Sequence, residues 1–177
     1  MCIRDSSPAL VIDLLNRYFD CVIPPVLNRG GEVMEIMGDG ILAIFNENAT
    51  RGSADVCRLA FDAAREGLAA LERSNAAQIP GPGPDTVFLH AGIALHHGQA
   101  SYGNIGAGDR LDFTVIGPDV NLTSRIERIC REIGRDLIMS ADFQALLNEP
   151  CFEIGHFDLR GFARKQLLFG LPDSPPG

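Results

Sequence analysis

Gly30-Gly-Glu-Val-Met-Glu-Ile-Met-Gly-Asp-Gly-Ile-Leu-Ala-Ile-Phe45 is the stretch of sequence that decides the fold. Two segments rich in apolar residues flank Gly38-Asp39-Gly40, and an Asp-Gly pair between such segments is a strong signal for a β-hairpin. We therefore predict a strand over Glu32–Met37, a second strand over Ile41–Asn46 and a tight turn between them. The apolar flanks would hold the carboxylate of Asp39 rigidly at the edge of a sheet.

Helical patterns lie on both sides of this hairpin. Apolar residues at helical spacing predict a helix over Ser7–Asn28, which Pro24-Pro25 should end or kink. A stripe of small apolar residues predicts a second helix over Ser53–Ser74. The Pro- and Gly-rich stretch 79–84 that follows is interpreted as a connector within one domain.

The second half of the chain alternates strands and helices. We predict a β-rich run over Thr86–Leu95, its antiparallel partner over Gln99–Ile105, a strand over Leu111–Ile116, a helix over Pro118–Arg131, a strand over Leu137–Met139, a brief helix from Ser140 through Leu147, and a strand pair over Phe152–Leu159 and Gln166–Leu171.

This order predicts the α+β class, with a ferredoxin-like β-α-β-β-α-β core that combines an antiparallel sheet with helices. Such a core needs one more strand before its first helix, and only six or seven residues precede that helix here. We therefore expect the first strand to be missing or degenerate. One domain is expected over residues 8–171, between a non-native or disordered start at 1–7 and a frayed tail at 172–177.

Composition narrows the function classes. The chain has 177 residues and a net charge of −8, which argues against a general nucleic-acid binder but not against a nucleotide substrate. Its five cysteines form no Cys-x-x-Cys pair, so neither a disulfide framework nor a structural zinc site is expected. No apolar run could span a bilayer and no signal peptide is visible, so we expect a cytoplasmic domain without a membrane segment.

Asp39 has two interpretations when it is taken alone. Asp before Gly is common in turns that have no function. A carboxylate held at a sheet edge is also a suitable ligand for Mg²⁺, which prefers one or two carboxylates together with phosphate oxygens.

A second candidate group lies on the predicted helix over Pro118–Arg131. Asn121 and Arg125 are four residues apart and share one face of that helix. An amide and a guanidinium there could contact a sugar oxygen and a phosphate together, since the planar fork of arginine can hold two phosphate oxygens. The alternative is an ordinary solvated helix face. The glycines over 103–108 could allow close approach of a ligand, or could mark an irregular hairpin.

Taken together, these segments resemble the catalytic domain of the class III adenylate/guanylate cyclases, of bacterial type. The hairpin at 30–45 resembles that family's metal-binding hairpin. The resemblance extends in order through Leu89-His-Ala-Gly-Ile-Ala, Gly103-Asn-Ile-Gly, Asp109-Arg-Leu-Asp-Phe-Thr-Val-Ile-Gly and Asp119-Val-Asn-Leu-Thr-Ser-Arg-Ile-Glu127. Leu15-Asn-Arg-Tyr-Phe-Asp20 and Leu159-Arg-Gly-Phe also fit, so the resemblance covers about Pro8 to Leu171.

The resemblance implies a reaction and a set of residues. The family converts a purine nucleoside triphosphate into its 3′,5′-cyclic monophosphate and pyrophosphate, with two divalent cations, Mg²⁺ or Mn²⁺. Asp39 would be one metal ligand, Asn121 would orient the ribose and Arg125 would stabilise charge on the α-phosphate. Lys165 would bind phosphate, although Arg164 competes for that role. Sites form between two chains, so a homodimer is implied. A sensor or regulatory domain is expected in the full-length protein.

Two departures from the family pattern affect these expectations. The strand carrying the family's other metal Asp, in a Phe-x-Asp motif, has no match before Pro8, so we expect either a fragment or a degenerate, regulatory cyclase-like module. The residues expected to read the base are Glu35 and Thr114. The chemistry of Glu35 leans towards guanine, unless Glu35 simply faces solvent, whereas Thr114 occurs in many bacterial adenylate cyclases. Because such bacterial domains are common, ATP is the expected substrate and GTP the alternative. A diguanylate cyclase fits less well, because its hairpin would need Gly-Gly-Asp/Glu-Glu-Phe.

Overall fold

Four helices and eight strands make up the described part of the chain. A computed structural model describes residues 8–77, 87–107 and 110–172, so the predicted connector over 79–84, the start at 1–7 and the tail beyond 172 lie outside the described residues. The elements are α1 (Pro8–Asn28), β1 (Glu32–Met37), β2 (Gly40–Ile44), α2 (Ser53–Ala76), β3 (Ile93–Leu95), β4 (Ser101–Ala107), β5 (Arg110–Ile116), α3 (Pro118–Ile133), β6 (Leu137–Ser140), α4 (Ala141–Gln144), β7 (Phe152–Phe157) and β8 (Gln166–Gly170).

Helix α1 continues through its two prolines. We predicted an end or a kink at Pro24-Pro25, and the end is wrong because the helix runs to Asn28. Each proline lacks the N–H that would bond four residues back, but Pro25 and Val26 are buried and the packing of this last turn compensates. The amide of Gly31 then donates to the carbonyl of Val26 at 3.0 Å and closes the helix.

Helices α1 and α2 pack against each other and cover one side of the hairpin. The helices are in contact at Gly67 of α2, where a Cβ would lie at an ordinary van der Waals distance of 3.6 Å from the Cα of Val22. An ion pair between Arg29 and Glu66 joins the two helices near the end of α1. None of the described helices is long and apolar enough to cross a membrane.

The buried core lies around a four-stranded sheet with the order β3-β6-β8-β7. All four residues of β6 are buried, and Ile138, Met139 and Leu168 are fully shielded from solvent. Helix α3 packs on this sheet through its own buried residues, Leu122, Ile126, Ile129 and Cys130. Buried thiols are poor nucleophiles, and burial raises the pKa of Cys57 to about 11 and that of Cys130 to about 12.

Two strand predictions in the middle of the chain are wrong. Within the described part of the predicted run Thr86–Leu95, which excludes Thr86, only Ile93–Leu95 is a strand, and it pairs in parallel with β6 rather than with Gln99–Ile105. Strand β4 pairs instead with β5, antiparallel, as a separate hairpin. Before β3, the side chain of Asn75 takes the place of a neighbouring strand at Leu89, whose amide and carbonyl it bonds at 2.9 and 2.7 Å.

The α+β class is confirmed, but the strands form three separate sheets. The hairpin β1-β2 and the hairpin β4-β5 are two-stranded sheets beside the four-stranded one. The remaining boundaries are close to the predicted ones. The predicted cap of α4 is confirmed, since Ser140 Oγ accepts from the amide of Phe143 at 3.2 Å, although that helix ends at Gln144 rather than Leu147. Among the described residues no strand precedes α1.

A wide cleft separates β2 from β3. Each of these strands is an edge of its own sheet, and both line one cavity of 1890 Å³ together with α1, α2 and α3. We call this space the β2–β3 cleft. Every residue of β2 and β3 is only half-buried, in contrast with β6. Among the residues that the structure describes, no element therefore covers these two strand edges and the apolar surface between them.

Candidate functional site

Asp39 lies at the tip of the β1-β2 hairpin. Met37 pairs with Gly40, so Gly38 and Asp39 form a two-residue loop, and Gly38 has a φ of +67°. A glycine with positive φ at the first loop position is typical of a tight hairpin turn. The side chain of Asp39 is exposed, and the structure gives it no hydrogen bond or ion pair among the described residues. Its carboxylate is thus free to bind a cation.

The phenol of Tyr18 lies within electrostatic reach of Asp39. Burial raises the pKa of the Tyr18 phenol, and the negative charges of Asp39 and Glu127 raise it further. Both Tyr18 and Asp39 line the β2–β3 cleft. The charges of Asp39 and Glu127 therefore act on Tyr18 in a cleft that arginines, Arg125 among them, also line.

Glu35 and Thr114, which the sequence pairs as the base-reading residues, lie next to each other. Thr114 Oγ1 donates to Glu35 Oε2 across a long 3.5 Å separation, which brings β1 and β5 together. Glu35 is exposed on its strand and Thr114 is half-buried. A bond of this length is weak, so both side chains can turn to a ligand.

Asn121 and Arg125 lie on the first turns of α3, one turn apart. Asn121 is exposed and Arg125 is half-buried. Neither side chain has a hydrogen bond or ion pair within the described ranges, so the Arg125 guanidinium is available to an anion. Arg125 lines the β2–β3 cleft, as Asp39 does, but no hydrogen bond or ion pair among the described residues connects the two.

The start of α3 is held to the sheet through Asp119. Asp119 Oδ2 accepts from the amide of Gln99 at 2.7 Å, and Oδ1 lies 3.6 Å from His96 Nε2. His96 Nδ1 in turn lies 2.8 Å from Ser140 Oγ. Burial lowers the pKa of His96, against the opposing charge of Asp119. Neither His96 nor Asp119 was assigned a role from the sequence, because their contact depends on how β3 and α3 pack.

Lys165 is placed apart from this group. It lies just before β8, and its Nζ is 3.2 Å from Asp158 Oδ2 in an exposed ion pair. Lys165 does not line the β2–β3 cleft. The structure thus brings Glu35 to Thr114, and Asp39 and Arg125 to one cleft, but leaves Lys165 on the far hairpin.

A divalent cation would find one suitable carboxylate here. In the described residues no group of three or more His, Cys, Asp or Glu side chains could hold a metal ion. The carboxylate of Asp39 fits the oxygen chemistry that Mg²⁺ and Mn²⁺ prefer. Further oxygen ligands could come from the substrate phosphates, from a partner chain or from a segment outside the described residues.

Comparison with known proteins places these features in a family. No protein-family model matches the chain. Adenylate cyclase 1 of Rhizobium meliloti (strain 1021) is 32% identical over 136 residues, which are 76% of this chain and 19% of that relative. The chain thus spans about a fifth of that relative's length.

Solved structures show the same fold. The adenylyl cyclase CyaB from P. aeruginosa superposes with a TM-score of 0.73 at 23% identity, over 97% of this chain and 86% of that one. A guanylyl cyclase structure superposes with a TM-score of 0.74 at 24% identity, over 98% of this chain and 89% of that one. With its cyclase-like sequence motifs, its α+β fold and these relatives, the chain belongs to the class III adenylate/guanylate cyclase catalytic domains.

Proposed function

We propose that this chain is the catalytic core of a purine nucleotide cyclase, which converts ATP or GTP into the 3′,5′-cyclic monophosphate and pyrophosphate. The observation that carries the proposal is the free carboxylate of Asp39 on its tight hairpin, in the same cleft as the free guanidinium of Arg125. The adenylate cyclase relative supports this activity. The chain itself provides a candidate metal ligand in Asp39 and a candidate phosphate ligand in Arg125.

Two divalent cations would complete the proposed site, and the carboxylate of Asp39 would hold one of them. Bound there, they would supply polarisation of the ribose 3′ oxygen and neutralisation of the phosphate charge. Asp39 is exposed and has no partner among the described residues, so its carboxylate can bind a cation without first breaking an ion pair.

Asn121 and Arg125 are proposed to handle the substrate. The amide of Asn121 would orient the ribose, and the guanidinium of Arg125 would stabilise charge that grows on the α-phosphate. Arg125 is half-buried, which strengthens its interaction with an anion relative to bulk water. Lys165 would have to leave Asp158 to reach a phosphate, so it is the weakest of the proposed contacts.

A homodimer is proposed to bring the parts together, with metal residues from one chain and Asn121 and Arg125 from the other. Large apolar side chains are exposed on the two hairpins that lie outside the main sheet. They are Ile36, Met37, Tyr102 and Ile116, each between 43% and 54% exposed. A patch of this kind supports a contact with a second copy of the chain.

A further strand is proposed to occupy the β2–β3 cleft. The edges of β2 and β3 have no neighbour within the described ranges, and apolar residues of α1 and α2 line the cleft beneath them. A strand joined to the start of α1 would satisfy both edges and cover Ile41, Ile93 and Leu95. It would also bring a second carboxylate close to Asp39, as two-metal catalysis requires.

The choice of base is proposed to lie with Glu35 and Thr114. A Glu35 carboxylate accepts hydrogen bonds, which suits the N1–H and amino group of guanine. Thr114 both donates and accepts, so it suits either purine. The Rhizobium relative carries the name adenylate cyclase, so ATP is the first substrate to test and GTP the second.

The test is turnover by a longer protein. The chain is extended before Pro8 with the strand encoded upstream in the genome, or with a strand carrying Phe-x-Asp, and assayed with ATP and GTP in the presence of Mn²⁺. We expect cyclic monophosphate and pyrophosphate in equal amounts from one of the two, and little from the unextended chain. The absence of product from both triphosphates in the extended protein would contradict the proposal.

A non-catalytic module is the second candidate. One observation favours it: in the described part of the chain no group of three or more His, Cys, Asp or Glu side chains could hold a metal ion. Such a module would bind a nucleotide or dimerise without turnover. Binding of ATP or GTP by the extended protein, together with a complete lack of cyclisation, would support this candidate over the enzyme.

A further inference from the structure

Two loops approach unusually closely where β3 ends and α3 begins. Gly98 leaves no room for a side chain, because a Cβ there would collide with the carboxylate of Asp119. The residue before α3 is also close to this segment, because a Cβ on Gly117 would lie 3.2 Å from the carbonyl oxygen of Gln99. The two glycines therefore allow the segment after β3 to lie directly against the first turn of α3.

Polar groups join the surfaces that meet there. The amide of Gln99 donates to Asp119 Oδ2 at 2.7 Å, and His96 Nε2 lies 3.6 Å from Asp119 Oδ1. The side chain of His96 is 4% exposed, and its Nε2 has no hydrogen-bond partner at this distance. A buried polar nitrogen in such a position normally has a structural or functional reason.

Ser140 connects His96 to the core. Ser140 Oγ accepts from the amide of Phe143 at 3.2 Å and lies 2.8 Å from His96 Nδ1, where its hydroxyl can donate. When it does so, the proton of a neutral imidazole is on Nε2 and points at Asp119. The buried sheet is thus connected to the first turn of α3 through Ser140, His96 and Asp119.

The start of α3 also carries two residues of the proposed reaction. Asn121 and Arg125 follow Asp119 by two and six residues and have no side-chain partner among the described residues that would hold them. Their positions therefore depend on the placement of the helix itself. A carboxylate in the first turn also interacts favourably with the helix dipole.

We propose that His96 and Asp119 form a latch between the end of β3 and the start of α3, and that they are positioning residues for Asn121 and Arg125. The latch acts on the reaction only through the helix, because neither residue belongs to the proposed contacts with metal or nucleotide. This inference rests on the proposed cyclase function for its catalytic consequence, but the latch itself can be tested without turnover.

The first measurement is amide hydrogen exchange in the chain itself. In Asp119→Ala we expect several-fold faster exchange over Asn121–Arg125, with exchange in α2 unchanged. In Asp119→Asn we expect a smaller increase than in Asp119→Ala, because the amide oxygen still accepts from Gln99 while the NH2 group takes the position that faces His96. Glu132→Gln, an exposed change at the far end of α3, is the control. Unchanged exchange over Asn121–Arg125 in Asp119→Ala would overturn the latch.

The second measurement is turnover by the strand-extended protein, normalised to folded protein. Asp119→Ala should lower kcat about tenfold with little change in KM, because misplacement of Arg125 weakens stabilisation of the transition state. Asp119→Asn should recover part of that loss, because it keeps the contact with Gln99 but not the carboxylate that faces His96. An unchanged kcat in Asp119→Ala would overturn the positioning role. A wild-type protein without turnover would overturn the proposed function and this catalytic role, while the exchange result still decides the latch.

Discussion

The two sides of the molecule differ in how completely their strands are covered. On the side of β6 and β8, residues such as Ile138 and Leu168 are fully shielded from solvent and α3 packs over them. On the side of β2 and β3, every strand residue is only half-buried and both edges face the β2–β3 cleft. The covered side accounts for most of the folding stability, whereas the proposed site lies at the open side.

The largest expected effect is at the open side. In the strand-extended protein, Asp39→Ala should lower turnover by about 10²-fold or more, because it removes the only free carboxylate proposed to hold a cation at the hairpin. Stability and dimerisation should not change, since Asp39 is exposed and has no partner in the described ranges. The measurement is cyclic nucleotide formation beside size-exclusion chromatography. Glu72→Ala, an exposed change on α2, is the control, and retained turnover in Asp39→Ala would refute the metal role.

Core substitutions compare the two sides directly. Ile138→Ala should lower the free energy of unfolding by about 2–5 kcal/mol, because it opens a cavity in a fully packed strand. Ile41→Ala on β2 should lower it by only about 1–2 kcal/mol, because this side chain is half-buried. Denaturant unfolding measures both.

The strand-extended protein sharpens this second prediction. If the added strand covers β2, Ile41→Ala should lower the free energy of unfolding by more than it does in the unextended chain. The decrease should approach that caused by Ile138→Ala. An equal loss for Ile41→Ala with and without the strand would contradict the proposed filling of the β2–β3 cleft.

The next effect in size concerns the base. Glu35→Lys should shift the ratio of kcat/KM for ATP over GTP by about tenfold towards ATP, since an acceptor for guanine's N–H groups becomes a donor. Glu32→Lys, the same charge change on an exposed residue of the same strand, is the control. A ratio unchanged by Glu35→Lys would mean that Glu35 faces solvent during the reaction.

The smallest effect is a pH dependence at the latch. Burial lowers the pKa of His96 below its usual 6.5, against the charges of Asp119 and Asp142 and together with that of His97. As the pH falls, His96 therefore takes up a proton at a higher pH in the unfolded chain than in the folded one. Its contribution to the free energy of unfolding is complete above about pH 6.5 and declines below that pH. In denaturant unfolding, the free energy of unfolding of His96→Gln should fall less between pH 7 and pH 5 than that of the wild type. That of His97→Gln should fall as in the wild type. Parallel curves for wild type and His96→Gln would exclude His96 as the source.

Helices and hairpins with their own local signals were predicted well. The hairpin at Asp39 follows from Asp-Gly between apolar segments, and α2 and α3 follow from stripes of apolar residues. The position of Glu35 beside Thr114 came from the family resemblance, because 79 residues separate them in sequence.

Features that depend on a neighbour could not be predicted from local patterns. Residues 86–92 have strand-forming composition, but a strand needs a partner, and at this edge Asn75 and Arg17 side chains bond the backbone of Leu89 and Val87 instead. The contact of His96 with Asp119 likewise arises from the parallel pairing of β3 with β6 and the packing of α3. No periodicity in the sequence reports such an arrangement.

The open edges of β2 and β3 have a consequence for handling the protein. Exposed strand edges recruit strands from other molecules, and natural proteins discourage this with lysine, proline or bulges on the edge. Gly40-Ile-Leu-Ala-Ile44 and Ile93-Ala-Leu95 contain neither a charge nor a proline. The chain without a strand between them should therefore self-associate with rising concentration. The degree of self-association therefore indicates whether the edges of β2 and β3 are covered.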